Sequence, residues 1–201
     1  MIIARDKYLR QLIEAMGNGM VKIVTGMRRS GKSFLLMTLF HQYLIEQGVA
    51  EDHIIEISLD NRKNKPLRNP DALLERIDHL IQSDGQMYYV ILDEVQLVDD
   101  FVEVLLSLMQ DKLLDVYVSG SNSRFLSKDV VTEFRGRGDE IHLFPLSFAE
   151  YYAAVGGDKH EAWKEYYTYG GLPQILQIDN EEKKINYLLD LYELTYIKDI
   201  I

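Results

Sequence analysis

The sequence predicts an α/β protein built around a parallel sheet, and three observations support this interpretation. Short apolar runs rich in β-branched residues alternate with longer segments of helical periodicity, which is the pattern of parallel strands joined by crossover helices. One run, MYYVILDE at 87–94, is apolar almost throughout, as expected of a central strand covered on both faces. With 201 residues, 47% of them hydrophobic, the chain is long enough to bury the core of one such domain.

The first elements are predicted from periodicity and from glycine breakers. A helix at 5–16 has apolar residues at helical spacing and ends at the sequence GNG. A strand at 20–26 follows, and then a helix at 32–48 that stops at Gly48. The second strand is expected at 53–60.

The next helix, at 68–83, has Pro70 at an allowed early position, with Asn69 or Asp71 near its start. The apolar strand at 87–94 comes after it. The remaining predicted elements of the sheet region are a helix at 99–114, a strand at 115–121 and a fifth strand within 139–147.

The character of the chain changes after about Ser147. Eight of the thirteen tyrosines and the only tryptophan, Trp163, lie beyond residue 150. Helical patterns occupy 148–157, 159–171 and 181–201. We therefore expect an α/β core at 1–147 and a small helical subdomain, or lid, at 148–201. The last helix reaches Ile201 without a stop signal, so we expect the natural protein to continue beyond it.

Composition limits the classes of function. The chain has no cysteine, so it forms neither disulfides nor thiolate metal sites, which fits a reducing cytoplasm. It has no signal-peptide pattern and no apolar run long enough to span a bilayer, so we expect no membrane association. The net charge of -10 argues against a general nucleic-acid coat, although a local basic patch could still bind nucleic acid.

The segment GMRRSGKS, Gly26 to Ser33, matches the pattern G-x-x-x-x-G-K-[ST] of a phosphate-binding P-loop, or Walker A motif. It lies between an apolar strand and an amphipathic helix, as such a loop requires. The glycines allow a tight turn that points backbone N–H groups at phosphate oxygens. The alternative is a glycine turn before a helix with scattered charge. The predicted nucleotide-binding residues here are Gly26, Arg29, Ser30, Gly31, Lys32, Ser33 and Phe34.

Three positive charges in this short loop repel one another, so the expected ligand is a multivalent anion. Lys32 is expected to reach the β- and γ-phosphates of ATP, and the Ser33 hydroxyl to bind Mg²⁺. The roles of Arg28 and Arg29 stay open. They could contact the nucleotide, or they could face the lid or a partner.

The run VILDE, which ends at Asp93 and Glu94, has the form of a Walker B motif. We expect Asp93 to bind Mg²⁺ through water and Glu94 to activate the attacking water. The alternative for Glu94 is a cap of the following loop. Gln96 could position water or read the γ-phosphate, and a surface polar residue is the equal alternative.

The fourth strand ends in SGSN, where Ser119, Ser121 or Asn122 could sense the γ-phosphate; the same sequence also suits a turn. Arg135 and Arg137 precede the fifth strand, and either could stabilise charge on the transferred phosphate, from the same chain or from a neighbour. A solvated basic turn is the alternative. The basic loop NRKNKPLR at 61–68 is more often solvated than a nucleic-acid site.

With these motifs, the chain resembles the prokaryotic AAA-superfamily ATPases along nearly its whole length. The shared segments are the P-loop, LDEVQ, SGSN, the Gly136-Arg137 pair with PLSFAE after it, and YGGLPQIL at 169–176. The resemblance implies a five-stranded sheet in the order 5-1-4-3-2, followed by a helical lid. It also implies a C-terminal domain of unknown function after the lid, which this sequence does not include.

The leading hypothesis is a cytoplasmic, Mg²⁺-dependent ATPase in which hydrolysis switches the lid and an attached or partner domain. Lys32, Glu94 and Arg137 are its catalytic candidates. Alternatives are a nucleotide-binding switch with negligible turnover, a kinase, which the Asp93–Glu94 doublet disfavours, and a nucleic-acid-associated ATPase, which the net charge disfavours. A role for Arg137 at a neighbouring site would require a homo-oligomer.

Overall fold

Five parallel strands form one sheet at the centre of the computed structural model, which describes residues 2–82, 84–120 and 136–193. The strands β1 to β5 are, in chain order, Val21–Thr25, Ile54–Ser58, Tyr88–Asp93, Leu114–Ser119 and Gly138–His142. Their order across the sheet is β2-β3-β4-β1-β5, and every neighbouring pair is parallel. The predicted order, 5-1-4-3-2, is therefore confirmed.

The pairing register brings the carboxyl ends of the inner strands to one edge of the sheet. Val24 of β1 pairs with Ser119 at the end of β4. Ser58 at the end of β2 pairs with Asp93 at the end of β3. The loops that leave this edge are where open α/β sheets bind their ligands.

Five α-helices accompany the sheet within the described residues. They are, from α1 to α5, Asp6–Glu14, Lys32–Phe34, His41–Glu46, Pro70–Leu80 and Phe101–Leu108. A π-helical stretch, Leu35–Phe40, joins α2 to α3, so the predicted helix after the P-loop is one continuous helical segment. At the start of α4 it is Asn69, and not Asp71, that caps the helix, because its side chain accepts a hydrogen bond from the Ala72 amide at 3.0 Å.

The basic segment expected as a loop after β2 is instead a 3₁₀-helix, Arg62–Arg68. Side-chain hydrogen bonds fix it to the end of the strand. The Asn64 amide donates to the carbonyl of Ser58, and Nε of Arg68 donates to the carbonyl of Leu59, both at 2.9 Å. Asn64 and Arg68 therefore donate hydrogen bonds to backbone carbonyl groups, a role that the positive charge of the segment does not predict.

Helices cover both faces of the sheet, which explains the apolar character of β3. Val90 and Leu92 pack in a cluster with α4 and α5, whereas Ile91 packs on the opposite face with α1 and the helical segment of residues 32–46. All three side chains are fully buried. Each such side chain contributes about 1.5–3 kcal/mol through burial, so β3 is the apolar centre of the core.

Beyond the sheet, the described residues contain three further α-helices, α6 to α8: Phe148–Val155, Lys159–Tyr169 and Glu181–Tyr192. A 3₁₀-helix, Pro173–Gln177, connects the last two. Ser147 and Glu150 form a capping box at the start of α6, in which each side chain binds the backbone amide of the other residue. None of the helices in the described ranges has the length and apolar content to span a bilayer.

The helical part is joined closely to the segment that follows β5. The Leu146 amide donates to the carbonyl of Gly171 at 2.7 Å, and the Tyr166 hydroxyl donates to the carbonyl of Leu146 at 2.9 Å. A Cβ atom at Gly171 would lie 2.1 Å from the Leu146 oxygen, so only glycine permits this approach. Leu146 therefore anchors the loop after α7.

Candidate active site

The P-loop leaves β1 and turns into α2 at the carboxyl edge of the sheet. Gly26 has φ 139° and Gly31 has φ 99°, both values that L-residues rarely adopt. The Gly26 backbone also lies so close to the carbonyl oxygen of Leu143 that a Cβ atom would be 2.3 Å from it. The loop is thus seated between β1 and the segment leaving β5.

Lys32 is buried inside this loop. Its ammonium donates to the carbonyl oxygens of Gly26 at 3.0 Å and of Met27 at 3.1 Å. Burial lowers the pKa of Lys32, and the nearby carboxylates of Glu94 and Asp93 oppose that shift. The ammonium is therefore held within the loop, where backbone amides and this cation can act on the same phosphate group.

Ser33 and Asp93 come from different elements and meet at the edge of the sheet. The Ser119 hydroxyl donates a hydrogen bond to Asp93, and the Ser33 side chain lies near the same carboxylate. Burial raises the pKa of Asp93, and the hydroxyl groups of Ser119 and Ser33 oppose the rise. A divalent cation would favour the ionised form of this buried carboxylate in the same way.

The donor set fits Mg²⁺ when phosphate is present. Magnesium is usually held by one or two carboxylates together with substrate phosphates and water. No group of three or more His, Cys, Asp or Glu side chains suited to a metal occurs in the described ranges. The hydroxyl of Ser33 and the carboxylate of Asp93 would therefore hold the ion only as part of a nucleotide complex.

Glu94 follows Asp93 directly in the chain and has the left-handed backbone conformation, with φ 56°. Its amide donates to the Ser119 hydroxyl at 3.1 Å, and its carboxylate accepts a hydrogen bond from the side-chain amide of Gln96. Gln96 is 93% buried, so it is not the surface polar residue that the sequence left possible. Ser119 and Gln96 together fix the backbone and the carboxylate of Glu94.

The two remaining P-loop side chains of interest differ in exposure. Ser30 is fully buried, and its hydroxyl has no hydrogen-bond partner in the part of the chain that the structure describes. Arg29 is exposed and has φ 64°. Its guanidinium lies over the ring of Tyr187 in α8, 4.9 Å from the ring centroid. Of the alternatives left open by the sequence, the side chain of Arg29 therefore faces the lid.

A cavity of about 350 Å³ opens beside the P-loop, within the range of small-ligand pockets. One wall consists of the loop residues from Arg29 to Phe34 together with Glu94. Pro173, Gln174 and Gln177 of the lid also line the cavity. A larger cavity of about 490 Å³ lies within the helical part, but no phosphate-binding loop reaches it.

Not every predicted site residue is brought to this cavity. Ser121, Asn122 and Arg135 lie outside the described residues. Arg137 is exposed, and its carbonyl accepts a hydrogen bond from the Val21 amide at 3.0 Å. It therefore lies at the amino end of β5, opposite the P-loop edge and a strand length of roughly 15 Å away from it.

Arg5 is the site residue that sequence reasoning missed. It is 97% buried, and its guanidinium donates to the carbonyl of Ser30 in the P-loop at 3.3 Å and to the carbonyl of Phe144. Its Nε atom lies 3.0 Å from a carboxylate oxygen of Glu150 in an ion pair. One side chain thus joins the P-loop, the segment after β5 and the lid. An arginine just before a helix has no sequence signal that distinguishes it from an exposed charge.

The chain has counterparts among known proteins. The family model described as an AAA domain matches residues 18–152. The chain belongs to this AAA domain family. Uncharacterised proteins of Haemophilus influenzae and Methanocaldococcus jannaschii are 30% and 25% identical over 99% and 90% of this chain. The chain spans about half of their length, 50% and 42% respectively.

Three solved structures share the fold of this AAA domain. The Walker-type ATPase of Pyrococcus abyssi gives a TM-score of 0.62 at 17% identity, over 99% of this chain and 75% of that one. Hsp104 of S. cerevisiae gives 0.58 at 15% identity, over 98% and 38%. Cdc6p of Pyrobaculum aerophilum gives 0.54 at 14% identity, over 77% and 49%. At these identities the likeness shows the fold alone.

Proposed function

We propose that this AAA domain binds ATP with Mg²⁺ and hydrolyses it. The observation that supports this most directly is the meeting of Lys32, Ser33 and Glu94 at one cavity, with the buried carboxylate of Asp93 beside them, although they belong to two separate motifs. A buried cation, an oxygen pair for a metal and a second carboxylate are the parts that phosphoryl transfer to water requires.

Each residue has a defined part in this proposal. The P-loop from Gly26 to Ser33, with Phe34 after it, binds the phosphates through backbone amides and Lys32. Ser33 and Asp93 hold Mg²⁺, which supplies neutralisation of the phosphate charge when bound. Ser119 fixes Asp93 and the backbone of Glu94, and is the sensor candidate inside the described residues. Glu94 takes the proton of the attacking water.

The replacement Glu94→Gln tests the hydrolytic role. It removes the base but keeps the shape of the side chain, so ATP binding should persist while phosphate release falls at least about 100-fold. The measurements are equilibrium binding of ATP and steady-state release of phosphate. Glu103→Gln, at an exposed position of α5, serves as the control and should match the wild type. Unchanged phosphate release by the Glu94 variant would refute the assignment.

A nucleotide-binding switch without turnover is the second candidate. It is favoured by the hydrogen bond between Glu94 and Gln96, because a carboxylate that accepts from a neighbour is less available to water. ATP binding without phosphate release, both by this chain and by a longer protein that contains it, would support this candidate. Phosphate release by either protein would support the ATPase.

We propose that ATP binding and hydrolysis move the lid against an attached domain or an unknown protein partner, in the cytoplasm. If Arg137 contributes to catalysis, its place at the opposite edge of the sheet requires that it act on a neighbouring copy in a homo-oligomer. With a net charge of -10, nucleic acid remains the less favoured partner.

A further inference from the structure

The side chain of Arg29 has one described contact, and that contact is with the lid. Its guanidinium lies over the Tyr187 ring at 4.9 Å, a cation–π geometry. In the described part of the chain this guanidinium makes no hydrogen bond and no ion pair. Its N–H groups are therefore still available to an anion in the adjoining cavity, which Arg29 helps to line.

Tyr187 contributes its ring and not its hydroxyl to this contact. The side chain packs against the apolar cluster of Leu172, Ile175 and Leu191 within the lid. Its hydroxyl is buried and has no hydrogen-bond partner among the described residues. A displacement of the ring would therefore also displace the apolar residues packed around it and the helix α8, to which Tyr187 belongs.

The P-loop and the lid approach each other closely on this side of the cavity. A Cβ atom at Gly31 would lie 3.9 Å from Cγ of Pro173, which is ordinary van der Waals contact. Pro173 and Gln174 line the same cavity as the loop. The pair of Arg29 and Tyr187 therefore joins the P-loop to the lid beside the cavity that Arg29 lines.

We infer that Arg29 is a positioning residue that couples phosphate binding to the position of the lid, an inference that rests on the proposed ATP binding. The aromatic contact uses the flat face of the guanidinium, whereas hydrogen bonds to phosphate use the N–H groups in its plane. Both can form at once. A bound phosphate immobilises the guanidinium over Tyr187, and Tyr187 in turn holds the guanidinium ready for phosphate. Thermodynamic linkage requires each effect to equal the other.

The first experiment measures amide hydrogen exchange in α8, Glu181–Tyr192, without nucleotide. Tyr187→Leu keeps an apolar side chain but removes the aromatic face, and it should speed exchange roughly two- to fivefold, the range of an exposed cation–π contact. Tyr187→Phe keeps the face and should match the wild type. Arg29→Ala, at an exposed position, should reproduce the effect without disturbing the lid core, and the double variant should add nothing.

The second experiment measures binding of a non-hydrolysable ATP analogue with Mg²⁺ and the protection that it induces in α8. Tyr187→Leu should bind the analogue roughly two- to fivefold more weakly and lose a matching part of the protection, while Tyr187→Phe should behave as the wild type. Wild-type binding and protection in the Leu variant would overturn the coupling alone. A wild-type protein that binds no nucleotide would overturn the proposed function and this inference together.

Discussion

A Cβ atom at Gly26 would meet two obstacles at once. The backbone has φ 139°, and the carbonyl oxygen of Leu143 lies 2.3 Å from the position that the atom would occupy. Gly17 has a similar requirement for positive φ, 65°, but no heavy atom lies within 4 Å of its ideal Cβ. Substitutions at the two glycines therefore distinguish the free-energy cost of a positive φ from the cost of steric overlap.

We expect Gly17→Ala to lower the free energy of unfolding by about 1–2 kcal/mol, the cost of the left-handed conformation. Gly26→Ala should cost about 3 kcal/mol, because overlap with Leu143 is added, and it should abolish ATP binding by displacing the loop. Urea denaturation and equilibrium binding measure the two effects. Equal losses in both variants would show that contact with Leu143 does not constrain the loop.

Arg5 allows a second prediction about a single residue. Arg5→Ala removes its ion pair with Glu150 and leaves the carbonyls of Ser30 and Phe144 without their donor. The expected loss of stability is about 2–3 kcal/mol, since two backbone carbonyls lose their donor and a buried side chain is removed. Arg10→Ala, at an exposed position in α1, should change stability by less than about 0.5 kcal/mol. The comparison is made by chemical denaturation, and similar values for the two variants would refute the structural role of Arg5.

Among the elements, the 3₁₀-helix Glu51–His53 before β2 is fastened to the segment before β3 by a titrating side chain. Nδ1 of His53 lies 2.9 Å from Asp52, and Nε2 lies 2.7 Å from Asp84. The ring also stacks on Tyr88 at 4.5 Å. The hydrogen-bonded carboxylates, first Asp52 and then Asp84, raise the pKa of His53.

A raised pKa in the folded state means that protonated His53 stabilises the fold. Its contribution is complete below the unfolded pKa of about 6.5 and is lost as pH rises through the higher folded pKa. We expect the free energy of unfolding to decline over this interval in the wild type and to decline less in His53→Gln. Denaturation at a series of pH values measures it. His160→Gln, at an exposed position in α7, should keep the wild-type slope.

The distance of Arg137 from the P-loop follows from the direction of β5. A residue that follows a parallel strand lies at the carboxyl edge, and a residue that precedes one lies at the amino edge. Asp93 and Ser119 end their strands and meet, whereas Arg137 precedes β5 and lies beside Val21 at the other edge. This separation is implied by the sequence order alone, once β5 is known to be parallel.

For the whole molecule, the fold and the outline of the site could be predicted because both depend on local patterns. Apolar alternation defines the strands, and the P-loop and the Asp93–Glu94 pair each carry their chemistry at fixed spacing. The tertiary contacts could not be predicted in the same way. The burial of Arg5 and Gln96 and the stacking of Arg29 on Tyr187 depend on which surfaces the chain brings together. The same residue types in the same local sequence could equally well have exposed side chains without these contacts.

The close approach of Leu146 and Gly171 has a mechanical consequence. This junction leaves no space for a side chain and is closed by hydrogen bonds. A rotation of the helical part that preserves these contacts would have its axis near Leu146. Atoms move in proportion to their distance from such an axis, so those far from it would travel further than the capping box at Ser147, which adjoins Leu146.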